Sequence, residues 1–94
     1  MVYGGIIDRS TEIGTSDETP VAENAGRHYL LIQNIGAFDL WVNFGTAAAV
    51  DTAGSLRLGA YGIMEWGPGE GFVPTNEVHM IADGTAVDVT IKEG

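Results

Sequence analysis

Residues 27–45 read RHYLLIQNIGAFDLWVNFG, two runs in which apolar side chains recur at a spacing of two. Leu30 and Ile32 share one face of the first run, and Leu40, Val42 and Phe44 share one face of the second. A period of two belongs to extended strands with one face on a core. The segment predicts two half-buried antiparallel strands joined by a short turn. The last run is cleaner still, with Val87, Val89 and Ile91 on one face and Asp88, Thr90 and Lys92 on the other. Asp83-Gly84 separates it from the run over residues 78–82. Such a pair between alternating runs predicts a hairpin, because a type I′ turn needs positive φ at both central residues.

The remaining elements are shorter. Residues 20–23 start a strand, with Asn24-Ala25-Gly26 as the turn that follows. Residues 55–58 and 61–66 alternate, Gly67 to Gly71 is a turn cluster, and residues 72–76 lead into the run that begins at Val78. No stretch places apolar residues at i, i+3, i+4 and i+7. The alanines of residues 46–50 favour helix but are closed off by Gly45 and Gly54, so they read as a loop of at most one turn. Strands recurring at this spacing predict an all-β fold, a small antiparallel β-sandwich or barrel of about six to eight short strands.

Ahead of it, residues 1–19 are polar and irregular after a brief apolar patch at Val2, Tyr3, Ile6 and Ile7. They read as a flexible N-terminal arm that either frays or orders on a partner. Residues 20–94 form the single β domain.

Composition then narrows the function. At 94 residues the chain makes one domain, which buries only about 60–70% of the surface its unfolded form would expose. It has no cysteine to supply a disulfide or a thiolate zinc site. Its 13 acidic residues against 4 basic ones give a formal charge of −9. Such a chain repels nucleic-acid phosphates and anionic lipid alike. No apolar run approaches the length of a membrane span, and no basic, then apolar, leader opens the chain.

Candidate chemistry is sparse. His28 and His79 sit on predicted strands without a metal-binding spacing, and they read as ordinary strand histidines. Glu12, Asp17, Glu18 and Glu23 are scattered through the weakly structured beginning, where they read as solvated charge. The cluster from Gly67 to Gly71 lacks the Gly-Lys-Ser/Thr ending of a phosphate loop and carries Glu70, which opposes phosphate. Asp83-Gly84 lacks the alternating ligands of a calcium loop. The residues predict no enzyme, no cofactor and no metal.

The aromatics are what remain. Tyr29 and Trp41 fall on the polar faces of their strands, and Trp66 ends a strand beside glycine. These three are the candidates for surface or intersubunit contact. Tyr29 and Trp41 either form an exposed patch or pack at the rim of the sandwich under the loop of residues 47–53.

The order RHYLLIQNIG, then LWVNFG, a small-residue loop, a Leu- and Gly-rich segment and Val73-Pro74-Thr75 before the final strands resembles small virion proteins of tailed bacteriophages. The resemblance covers residues 20–94 and is structural rather than catalytic. It implies a capsid decoration (cement) protein or a head-fibre base domain, on the outer capsid surface of a virion and made in the host cytoplasm. The partners it implies are the major capsid protein and the chain itself, as a homotrimer at local three-fold positions. Val2, Tyr3, Ile6 and Ile7 are then the candidate capsid contacts, by strand addition. The alternative is a carbohydrate- or receptor-binding β-module displayed on a virion, with Trp41, Tyr61 or Trp66 as a stacking platform.

Overall fold

The alternation is realised as two facing antiparallel sheets in the computed structural model, which describes residues 5–67, 69 and 71–94. Among these residues the strands are β1 (Ile7–Asp8), β2 (Thr11–Ile13), β3 (Glu18–Val21), β4 (Leu30–Asn34) and β5 (Leu40–Phe44). They continue with β6 (Leu56–Leu58), β7 (Ile63–Trp66), β8 (Val78–Ala82) and β9 (Val87–Glu93). One sheet runs β1, β9, β4, β7, with β2 also on β9; the other runs β3, β8, β5, β6. This is a small β-sandwich, as the spacing of the strands predicts.

The core lies between the sheets. Leu30 and Ile32 of β4 and Val87, Val89 and Ile91 of β9 face Leu40 and Val42 of β5 and Val78, Met80 and Ala82 of β8, all buried. Each large apolar side chain so enclosed contributes roughly 1.5–3 kcal/mol. Ile13 and Val21 bring the chain's early strands into the same core, and Phe44, Met64, Trp66 and Val73 close its margins.

Both predicted hairpins are instead crossings. β4 and β5 lie in different sheets, and so do β8 and β9. In each pair both strands bury an alternating face, and two such faces are satisfied by opposing one another across the core rather than by lying side by side. At Asp83-Gly84 the backbone explains the difference. Only Gly84 has positive φ (89°), so the two positions that a type I′ turn requires are not both present. The crossing is held by the Asp83 amide, which donates to the Asp39 carbonyl at 3.0 Å, between the two connections.

The early residues differ most from expectation. Over residues 7–13 the expected arm is an edge strand of the first sheet. β1 and β2 keep a single register along β9, from Ile7 opposite Glu93 to Ile13 opposite Val87. The break at Arg9-Ser10 is bridged by a side chain: the Ser10 hydroxyl accepts the Ile91 amide at 2.9 Å. Serine thus stands in for a backbone acceptor, which is why a polar sequence passes as strand. Ser10 also donates its amide to Asp8 Oδ1 at 2.9 Å. These Ser10 bonds, with the Lys92 ammonium beside them, hold the Asp8 carboxyl below the usual carboxylate range. On the other sheet, β3 is an edge strand that contains Pro20 and shifts register between Glu18 and Val21.

Asn34 and Gly36 seal the end of the sandwich where β4 crosses to β5. Asn34 is fully buried and donates through Nδ2 to the carbonyls of Phe38 (2.7 Å) and Leu58 (3.0 Å). Its Oδ1 accepts the Gly36 amide at 2.9 Å. Gly36 lies so close to β9 that a Cβ there would meet Val87 Cβ at 2.7 Å.

Candidate interaction surface

Three kinds of feature compete to be the working part of this molecule: polar clusters, aromatic side chains and exposed apolar edges. The strongest polar cluster lies inside. Arg27 Nε donates to Glu93 Oε2 at 2.7 Å, and the two side chains are 0% and 3% exposed. The remaining donors of Arg27 are spent on backbone: Nη1 on the carbonyls of Pro74 (2.6 Å) and Asn76 (3.0 Å), Nη2 on that of Ala22 (2.8 Å). Glu93 also accepts from Asn24 Nδ2 and Arg9 Nε. Burial pushes the Glu93 carboxyl up, but the hydrogen bonds from Arg27, Asn24 and Arg9 outweigh it, and the group ends below its ordinary value. With all three guanidinium nitrogens and both carboxylate oxygens engaged, this cluster is a fastening that ties three loops to the end of β9.

A second cluster lies at the surface. His79 Nδ1 stands 3.1 Å from Asp17 Oδ2 and 3.4 Å from Thr19 Oγ1, while Nε2 faces Glu77 Oε2 at 4.0 Å. A relay of the kind that activates a hydroxyl needs the carboxylate and the hydroxyl on different ring nitrogens. Here Asp17 and Thr19 share one nitrogen, and Glu77 stands 4.0 Å from the other, beyond hydrogen-bond reach, so the ring joins no carboxylate to the hydroxyl. Asp17 instead accepts the Ala48 amide through Oδ1 at 2.9 Å, pinning the small-residue loop to β8. His28 lies outside the strands, just ahead of β4, and its amide donates to the Gly94 carbonyl.

The aromatic candidates do not assemble. Tyr29 is half-buried and donates to Glu65 Oε2 at 2.6 Å, on the outer face of the first sheet. Trp41 lies on the outer face of the second, opposite Arg57 and Ile81, and its buried Nε1 has no partner among the described residues. Tyr29 and Trp41 therefore sit on opposite sides of the sandwich and share no patch. Trp66 turns inward and meets Phe44 edge-on, with ring centroids 5.4 Å apart. Trp41, Tyr61 and Trp66 accordingly do not share a stacking platform.

Of the large apolar side chains left exposed, Ile35, Phe38 and Phe72 lie in loops and the rest at the sheet edges. Of the candidate contacts near the beginning, Ile6 and Ile7 are 59% and 48% exposed at the β1 margin, while Val2 and Tyr3 lie outside the described residues. On the opposite margin Leu56 of β6, Ile63 of β7 and Tyr61 between them are exposed, and sequence reading missed the first two. No sequence signal singles them out: between residues 52 and 69 only Arg57 and Glu65 are ionised, but residues 28–50 carry still fewer charges, Asp39 alone. Elsewhere the surface is anionic, because all four cations are taken up in ion pairs. Arg9 and Arg27 pair with Glu93, Arg57 with Asp39 and Lys92 with Asp8. Among the described residues no group of three or more His, Asp or Glu gathers as a metal site would require.

Comparison with protein-family models, with characterised proteins and with solved structures finds no match to this chain.

Proposed function

We propose that this chain is a structural virion protein that decorates a tailed-phage capsid, binding across capsomer boundaries and stabilising the shell against internal pressure. The observation that carries the reading is the exposure of Ile6, Ile7, Leu56, Tyr61 and Ile63 along the margins of a small sandwich whose edge strands lack further partners among the described residues. Apolar edges of this kind gain by contact with other polypeptides. Many weakly bound copies on a symmetric lattice hold together far more firmly than one copy does.

In this reading the β1 margin meets the major capsid protein, with Ile6 and Ile7 as anchors and Val2 and Tyr3 continuing the same apolar segment in sequence. The anionic remainder of the surface keeps the protein off the packaged genome. The experiment is co-sedimentation of the purified chain with emptied capsids of the phage that encodes it. Pelleting with the shells, reduced in an Ile6→Asp, Ile7→Asp variant, is the expected result. A chain that stays in the supernatant at saturating shell concentration overturns the proposal.

A further inference from the structure

Among the described residues β6 and β7 are unpartnered edges of the two sheets, and both lie on one flank because residues 59–62 join them directly. Their registers against β5 and β4 are unbroken. Neither strand contains proline. The flank exposes Leu56 (46%), Tyr61 (67%) and Ile63 (56%). Tyr61 is held at φ 63°, a left-handed conformation that costs a bulky side chain roughly 1–2 kcal/mol. The fold thus spends free energy to present an aromatic ring to solvent beside two open ladders.

The geometry points to a second copy of this chain as the occupant of the flank, in a twofold dimer. Charge selects the occupant. Two copies of a chain with net charge −9 repel, and contact is cheapest where charge is absent. Of 13 acidic and 4 basic residues, only Glu65 and Arg57 fall between residues 52 and 69, and Asp39, 2.8 Å from Arg57, is the one further charge that an ion pair brings to this flank.

Strand direction and the same two charges select the symmetry. β4 and β5 run oppositely across the sandwich, β7 is antiparallel to β4 and β6 to β5, so β6 and β7 also run oppositely. A twofold axis along the strands therefore sets β6 of one copy antiparallel to β7 of the other, at two equivalent seams. Arg57 and Glu65 both lie on outer faces, so each seam brings Arg57 of one copy, which pairs with Asp39 of its own chain, to the same face as Glu65 of the other. The other twofold arrangement pairs β7 with β7 and sets Glu65 against its own copy. The favoured axis also brings the two Tyr61 rings to the same end of the dimer. This association does not depend on the virion reading, and its closure is twofold where the phage resemblance implies three.

Sedimentation velocity of the full chain tests it. The expected result is a species of twice the 9.9 kDa chain mass. A Tyr61→Asp, Ile63→Asp variant is expected to weaken the dimer at least about 100-fold while keeping the β circular dichroism spectrum. Ile6→Asp, on the opposite margin, is expected to leave it dimeric. Tyr61→Gly guards against a folding artefact, because it relieves the left-handed backbone: thermal stability at concentrations where the chain is monomeric is expected to rise while self-association falls. A wild-type chain that is monomeric up to about 500 µM, well above the dissociation constant of a specific dimer, overturns the inference. So does a three-copy species, or a Tyr61→Gly variant that dimerises as the wild type does.

Discussion

Arg27 and Glu93 are 66 positions apart, yet Arg27 Nε lies 2.7 Å from Glu93 Oε2, with both side chains shut away from solvent. The guanidinium reaches four acceptors on three separate segments, so it acts as a clamp over the end of the sandwich. Arg27→Ala leaves buried acceptors and a carboxylate without their main partner, and a loss of about 3–5 kcal/mol is expected in urea unfolding. Arg27→Lys is expected to recover little, since one ammonium cannot span acceptors arranged for a planar fork.

The same pair sets the acid limb of stability. Glu93 has a folded value below the ordinary 4.5 of a free glutamate, so folding favours the charged form. That contribution is fully present above 4.5 and is lost as pH falls from there through the depressed folded value. Asp8 acts in the same direction. Urea midpoints measured from pH 6 downward are expected to fall on this limb, and Glu93→Gln is expected to flatten the fall while lowering stability at pH 6.

Gly36 tests the tightness of the crossing between the sheets. Gly36→Ala places a methyl 2.7 Å from Val87 Cβ and 3.2 Å from its Cα, and overpacking of this kind costs about 1–3 kcal/mol. Combining it with Val87→Ala is expected to give only partial relief, because the variant removes Cγ1, which is also 2.7 Å away, but leaves Cβ in place. A double variant as stable as Val87→Ala alone contradicts the geometry.

Asp17 tests the surface cluster. If its carboxylate fastens the loop to β8, Asp17→Ala is expected to speed exchange of the Ala48 amide about tenfold, the worth of one such hydrogen bond. Amides of β9 serve as the reference that should not change.

Ile13 distinguishes an edge strand from an arm. It is 0% exposed against the core, so Ile13→Ala is expected to lower stability by about 2–5 kcal/mol. An arm standing off the domain would give no measurable loss.

Fold class and core were legible because both follow from a period of two. Val87, Val89 and Ile91 point inward as read, and so do Leu30, Ile32, Leu40 and Val42. Pairing was not legible: two strands that each bury one face look the same whether they lie beside or across from one another, and Asp83-Gly84 misled because its turn type depends on tertiary restraint. The alternation of β9 carries Glu93 inward after Ile91, yet a carboxylate there makes sense only once Arg27 is known to meet it. The strand character of residues 7–13 was hidden because Ser10 supplies with its side chain what a strand supplies with its backbone. The exposed flank was not legible, because which strand ends a sheet depends on pairing, and alternation does not report pairing.

The two flanks of this sandwich are unlike. On one side Pro20 and the register shift of β3 lie beside the break at Arg9-Ser10, so an arriving strand finds no continuous ladder to extend. On the other, β6 and β7 are unbroken. A subunit with continuous ladders on both sides could add strands without end, whereas one with a continuous ladder on a single side has only that side to extend.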